Sequence, residues 1–384
     1  MGFKRIYYIF VCLTLFPGDK TMKVLIIGGA GNMGTSMAKD LLEHYGGTEI
    51  TLGDYREDVA KKIAESLGAN VKTAKIDANN QNELVGEMKK HDISLNACGP
   101  NYRFAVKVVK AAIESGTNLV DICDDYEPAM EILKLDGEAK KKGASILTGM
   151  GWTPGLSNVL AKKGSELMET VDTINISWTG DPNSEGIAVT EHMLYIITGK
   201  IPSYINGELK YVPAGKGKVK LKFPEPVGEQ TVYDVGHPEP VTIPHFIKGV
   251  KNVTLKGALV PQWTNTYLKL FYVFPGRTKT IEQRRKLAES IQQFAHKKFI
   301  KNRLKDYIYS TLRVEISGTK NNQPLKKTYL TIDTMDRLTG IPASIGTKML
   351  SEKSEPGVYA PEGIIDTKKF FEELSKRNIK IIEE

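Results

Sequence analysis

Val24-Leu25-Ile26-Ile27-Gly28-Gly29-Ala30-Gly31-Asn32-Met33-Gly34 decides the fold. Residues 24–27 are a short, unbroken apolar run, the pattern of a strand buried on both faces in a parallel sheet. The glycines follow at once, and residues 35–45 then carry Met37, Leu41 and Leu42 on one helical face. Strand, glycine turn and helix in that order predict a dinucleotide cradle. Gly29 is expected to permit the tight turn, Gly31 to let backbone approach a pyrophosphate, and Gly34 to allow close helix–strand packing. The helix start offers free N–H groups and partial positive charge to the phosphates.

Outward from that stretch the chain alternates. Strands are expected at 49–53, 71–76, 93–97, 118–122 and 144–147. Helices are expected at 57–67, 82–90, 103–115 and 128–142. Six strands alternating with helices predict an α/β Rossmann domain, a doubly wound parallel sheet whose crevice lies beyond the strand C-termini. After Gly149 the alternation stops. Strand-like pieces at 173–178, 253–259 and 312–317, with 328–333 returning as a hairpin across 318–323, predict an inserted, mainly antiparallel α+β domain. One flanking helix is expected near 281–301, and the tail reads as a helix within 362–384 followed by a short strand at 379–382. The expected limits are 22–150 for the NAD(P)-binding domain and 151–340 for the substrate and dimerisation domain. Residues 341–384 are expected to pack back on the first. Residues 1–21, with Lys4 and Arg5 before an apolar run, are read as a non-core extension or a misassigned start with Met22 as the true one.

Composition narrows the function. The 384 residues carry 53 Lys and Arg against 45 Asp and Glu, a net charge of +8. The cations are scattered among acids, as in Lys61-Lys62-Ile63-Ala64-Glu65, which is how solvated helix faces look. Nucleic acid is therefore not the expected partner, and the N-terminal apolar run is too short to span a bilayer. Three cysteines, Cys12, Cys98 and Cys123, and six histidines without ligand spacing argue against a disulfide framework or a metal site. A cytoplasmic protein is the expectation.

The cofactor residues follow from the strand ends. Beyond Gly29, Ala30, Gly31, Asn32, Met33 and Gly34, the second strand ends at Asp54, twenty residues past Gly34. A carboxylate there can bond the ribose hydroxyls of NAD and repels the 2′-phosphate of NADP. Tyr55 and Arg56 follow, and Arg56 keeps NADP open. Asp77 and Ala78 end the third strand, where an adenine edge would lie. Cys98, Gly99 and Pro100 form a turn that can pass beside the nicotinamide, placing Tyr102 toward the reacting carbon. The fifth strand delivers Asp124 and Asp125, adjacent carboxylates at the cleft rim suited to binding a substrate ammonium or acting as a base. Each has an equal reading as a turn or helix cap. The two later cysteines read as packing residues. His192 and His245 can titrate near neutrality, but either also fits an ordinary surface or core position.

These segments resemble the saccharopine dehydrogenase family, and within it the archaeal-type lysine dehydrogenases. The resemblance rests on the glycine motif, on Asn96 through Tyr102, on Val120-Asp121-Ile122-Cys123-Asp124 and on Trp152-Thr153-Pro154-Gly155-Leu156-Ser157-Asn158. It extends to Met335-Asp336-Arg337-Leu338-Thr339-Gly340 and Gly357-Val358-Tyr359-Ala360-Pro361-Glu362. It implies a C-terminal segment that returns to the first domain, a homodimer, and NAD(P)-dependent oxidation of a C–N bond in an amino-acid substrate, or its reverse. It places Tyr102, Asp124 and the Thr153-Pro154-Gly155 turn at the substrate. Tyr102 and Asp124 are then the candidate catalytic residues, with Asp125, Thr153, Pro154 and Gly155 binding substrate. This chain has Trp178-Thr179-Gly180-Asp181-Pro182 where the family carries Gly-Gly-Leu-Pro, which bears on the substrate more than on the chemistry. Two other readings remain: a carboxynorspermidine-type reductive amination, and a non-catalytic NAD(P) sensor.

Overall fold

The computed structural model describes residues 21–181, 186–266, 280–295 and 297–384. The extension expected at 1–21 lies outside them apart from residue 21, as does Pro182. The elements run β1 (Met22–Ile27), α1 (Asn32–His44), β2 (Thr48–Asp54), α2 (Glu57–Leu67), β3 (Val71–Lys75), α3 (Gln81–Met88), β4 (Ile93–Asn96), α4 (Asn101–Ser115), β5 (Asn118–Asp121), α5 (Tyr126–Leu133), α6 (Asp136–Lys142) and β6 (Ser145–Leu147). Then come α7 (Leu156–Ser165), β7 (Thr170–Gly180), α8 (Ile187–Ile196), β8 (Lys200–Ile205), β9 (Glu208–Pro213), β10 (Val219–Lys222), β11 (Glu229–Asp234), α9 (Glu239–Phe246) and β12 (Asn252–Leu259). The chain closes with α10 (Ile281–Ala295), α11 (Lys298–Leu304), β13 (Ser310–Lys320), β14 (Gln323–Asp333), α12 (Met335–Glu352), β15 (Gly357–Tyr359), α13 (Pro361–Ile364), α14 (Thr367–Lys376) and β16 (Ile382–Glu383).

The first sheet is parallel, in the order β15-β6-β5-β4-β1-β2-β3. Val24, Leu25 and Ile26 are fully buried, as a strand between two helical layers requires. The order reverses beside β1, so a crevice opens between the ends of β1 and β4. The seventh strand comes from the far end of the chain: Gly357, Val358 and Tyr359 pair with Ser145, Ile146 and Leu147. Just before it, α12 packs along α1, and Gly340 makes that approach possible, since a Cβ there would stand 2.6 Å from Ser36 Oγ.

Among the described residues the second sheet has nine strands, with the path β10-β11-β12-β7-β13-β14-β16 and β8–β9 attached at β12. It is mainly antiparallel, as expected, with a single parallel pairing among the described strands. β12 and β7 run parallel, from Asn252↔Thr173 to Leu259↔Gly180. The expected hairpin is present and longer, with β13 and β14 paired from Ser310↔Asp333 to Lys320↔Gln323. Its two-residue turn is Asn321-Asn322, with φ of 50° and 59°, the positive values that a type I′ turn needs and that asparagine tolerates. Two expected helices divide: 128–142 becomes α5 and α6, and 281–301 becomes α10 and α11.

Candidate active site

The glycine cradle forms, with one role reassigned. The positive φ of the turn, +76°, belongs to Gly28, where a Cβ would press on the Ala97 backbone at 2.9 Å. Gly29 instead lets the loop touch β2, since a Cβ there would lie 2.9 Å from Leu52 Cα. Gly34 seals helix to loop, its Cβ position being 2.6 Å from Gly28 O. Gly31 caps α1 in extended conformation, and its Cβ position meets Gly28 O at 3.3 Å and nothing else within 4 Å. That open side lies beside the first turn of α1, where Met33 and Gly34 present N–H groups that helix geometry leaves without intrahelical partners. The residues present fit a dinucleotide pyrophosphate.

Asp54 is buried at the end of β2 and ties the cradle together. It accepts from Ala30 N at 3.1 Å, Arg56 N at 3.0 Å and Arg56 Nε at 3.2 Å. The Arg56 guanidinium is part-exposed and lies 5.5 Å from the centre of the Tyr55 ring. Asp54 and Arg56 thus sit as one unit where a ribose would be held. Asp77 is exposed and accepts from Asn79 N at 2.8 Å, a turn leading into α3; that bond holds its carboxyl below the usual range. Ala78 beside it is buried. Cys98 donates its N–H to Asn96 Oδ1 at 3.1 Å, and burial pushes its thiol up to about 12, so it is no nucleophile at neutral pH. Gly99-Pro100 is a cis peptide, and the Gly99 Cβ position lies 3.2 Å from Ala188 Cβ of α8. The absence of a side chain there lets α8 close down on the loop.

The ends of β4, β5 and β6 are held by Asp121. Its fully buried carboxylate accepts from Asn96 Nδ2 at 2.6 Å, Cys123 N at 2.7 Å and Thr148 Oγ1 at 3.2 Å. On that base stand Asp124 and Asp125, and their environments separate them. Asp125 is fully buried and is no rim carboxylate: it accepts from Tyr102 N at 2.6 Å and lies 2.9 Å from His192 Nδ1. Asp124 is part-exposed, accepts from Asn101 Nδ2 at 2.8 Å, and lies 3.2 Å from the same His192 nitrogen. Burial, with Asp125 adding to it and His192 opposing it, raises the Asp124 carboxyl to about 6. Burial opposes the charge on His192, but Asp124 and Asp125 outweigh it and lift the imidazole to about 9.

His192 sits on α8 and is brought here by tertiary structure alone. The sequence singled it out with His245 as able to titrate near neutrality, without placing it at the cleft. Its neighbour Glu191, also missed, is buried and accepts from Tyr102 Oη at 2.7 Å. Burial and Glu191 push the Tyr102 phenol well up, so Tyr102 is a proton donor in this setting and does not serve as the base. Asp124, Asp125 and His192 offer three ligand atoms within 4.8 Å of one another. Those atoms are already paired with each other, Asn101 and Tyr102, so the group is an ion triad more than a metal cage.

Thr153, Pro154 and Gly155 lie one layer behind. Gly155 has φ +127°, and a Cβ there would fall 2.0 Å from Gly151 O, so only glycine fits. Thr153 Oγ1 and Ser157 Oγ donate to Glu239 Oε1 at 2.6 and 2.9 Å. His237, almost fully buried, stands edge-on to His192 with ring centres 5.2 Å apart. Burial raises the Glu239 carboxyl to about 7. Asn158 donates to Glu362 Oε2 at 2.8 Å, joining two segments 204 residues apart. A shallow groove of about 460 Å³ beside α2 and β3, against Ala64 and Val71, contains none of these residues.

Comparison with known proteins agrees with this geometry. Residues 24–147 match the family described as saccharopine dehydrogenase NADP binding domain. A lipid droplet localized protein of Caenorhabditis elegans is 28% identical over 141 residues, 34% of this chain and 33% of the relative. A saccharopine dehydrogenase-like oxidoreductase of Rattus norvegicus is 28% identical over 189 residues, 44% of this chain and 42% of the relative. The matches thus span less than half the length of either curated relative. Among solved structures, apo saccharopine dehydrogenase (L-Glu forming) of Saccharomyces cerevisiae superposes with a TM-score of 0.68 at 16% identity, over 94% of this chain and 99% of that one. An amine dehydrogenase of Mycobacterium smegmatis gives 0.50 at 12% identity, over 91% and 97%. Those two likenesses show the fold: a parallel sheet with flanking helices, joined to a mixed sheet. No helix among the described residues is long and apolar enough to cross a membrane.

Proposed function

We propose, for a chain whose residues 24–147 form an NAD(P)-binding domain of the saccharopine dehydrogenase kind, that it is an NAD(P)-dependent oxidoreductase acting on a C–N bond of an amino-acid substrate. One observation carries this: a carboxylate–imidazole triad, Asp124 and Asp125 just beyond the end of β5 and His192 in the middle of α8, stands on the same crevice as the glycine cradle. A bound nicotinamide nucleotide would supply the hydride acceptor or donor.

The chain's own residues then have separable tasks. Gly31, Met33 and Gly34 present the backbone to a pyrophosphate, and Asp54 with Arg56 faces the ribose. Asp124 takes the proton that a substrate ammonium must lose before its carbon can be oxidised. Its pKa near 6 leaves it ionised and basic at neutral pH. Asn101 and His192 fix the carboxylate, and Asp125 holds the imidazole and the start of α4. Tyr102, kept neutral, donates a hydrogen bond. A homodimer in the cytoplasm and a role in lysine metabolism belong to the same reading; light scattering and cell fractionation test the first two.

The test is a panel. NAD+ and NADP+ reduction with L-lysine, L-glutamate, saccharopine and simple amino acids, and the reverse with their keto acids and ammonia, are followed by nucleotide absorbance. Turnover confined to amine–carbonyl pairs supports the proposal. Turnover of alcohols alone, or none with nucleotide tightly bound, removes it.

A further inference from the structure

Beside the cleft, α4, α8 and α10 bring three groups together. The Tyr102 and Tyr195 rings stack with centres 5.5 Å apart. The Arg284 guanidinium lies 4.8 Å from the Tyr102 ring centre and 5.2 Å from that of Tyr195. Two carboxylates among the described residues are engaged by these tyrosines: Glu191 accepts from Tyr102 Oη at 2.7 Å, and Glu127 accepts from Tyr195 Oη at 2.8 Å. Arg284 has no ion pair among the described residues, and its Nε is buried without a hydrogen-bond partner. A guanidinium oriented by two aromatic faces, with unused planar donors, is prepared for a carboxylate. A buried donor left unpaired carries a desolvation cost that an incoming oxygen relieves.

We infer that Arg284 binds a carboxylate of the substrate, Tyr102 lying between that anchor and the proton-accepting Asp124. This rests on the functional reading above and sharpens it: the substrate is an acid bearing its reactive nitrogen within reach of both groups, and a plain amine is a poor one. Arg284 is a specificity residue here. Its side chain also lies over the rings, so a substitution must keep a long side chain there while removing the fork. Arg284→Met does so, and Arg284→Lys keeps the charge but not the planar donors.

The experiment reads binding without turnover. Saturation-transfer NMR on the full chain, with and without saturating NADH or NADPH, titrates acetate, pyruvate and glutarate, with n-pentylamine as the probe lacking a carboxylate. The wild type is expected to bind at least one carboxylate about 10- to 100-fold more tightly than Arg284→Met, with Arg284→Lys between. n-Pentylamine and nucleotide binding should be alike in all three. Carboxylates bound equally by wild type and Arg284→Met, or bound by neither while nucleotide still binds, overturn the inference. Loss of nucleotide binding by the wild type itself would instead overturn the functional reading.

Discussion

His192→Gln separates the ion triad from ordinary packing. His192 Nδ1 lies 2.9 Å from Asp125 and 3.2 Å from Asp124. At an effective dielectric constant near 20, one unit pair at the shorter distance attracts by about 6 kcal/mol. Burial takes part of that back, and the balance leaves the imidazole raised to about 9. Against an unfolded value near 6.5, that rise corresponds to about 3 kcal/mol of folded-state stabilisation. Because the folded pKa is the higher one, the contribution is fully present below about pH 6.5 and is lost as pH climbs through about 9. Urea unfolding of wild type and His192→Gln, followed by circular dichroism across that window, gives the difference directly. The gap should be about 2–3 kcal/mol at the acidic end and close to nothing above about pH 9. A gap that stays flat, or widens with pH, would refute the charged triad and leave His192 as packing.

Three further outcomes follow from the same geometry. Asp124→Asn keeps the acceptor for Asn101 but cannot take a proton, so kcat should fall by about 100-fold or more while nucleotide affinity stays within about two-fold; steady-state kinetics and calorimetry check this. Gly34→Val pushes a side chain into Gly28 O and Gly29 Cα, at 2.6 and 2.8 Å from the Cβ position, so added nucleotide should no longer raise the melting temperature. Arg377→Met leaves Asp40 buried without the guanidinium that now reaches both its oxygens at 2.9 and 3.0 Å, a loss of about 3–5 kcal/mol by denaturant unfolding that Asp40→Asn should partly restore.

What the chain disclosed in advance follows locality. Each β–turn–α unit of the first sheet is written in about thirty consecutive residues, so α2 is legible to the residue, and the glycine cradle is legible as a unit. Errors begin where a distant partner decides. Residues 128–142 read as one helix, but Asp136 starts a second one, and its carboxylate accepts from Val358 N, 222 residues away. Helix α12 went unread because Pro342 and two glycines argue against a helix. Its glycines are there because α1 and Met150 approach too closely for side chains. The parallel pairing of β7 with β12 leaves no local mark, and neither does the return of β15.

The candidate site divides the same way. Asp54 ends β2, and Tyr102 and Asp124 lie in the segments that follow β4 and β5, where an α/β chain keeps its chemistry, and so could be named from position. Asp125 beside them could not be told from Asp124 until burial distinguished the anchor from the part-exposed carboxylate. His192, Glu191 and Arg284 come from helices of the second domain with no motif around them. Their meaning depends on a crossing of helix and strand that no spacing encodes.

Calorimetric titration of the purified chain with NADH and NADPH, beside Gly31→Val, tests the account at its root. Single-site uptake of at least one nucleotide by the wild type, abolished by a side chain on the open face of Gly31, is the expected result. Heat that is absent for both nucleotides, or identical in the variant, would contradict it.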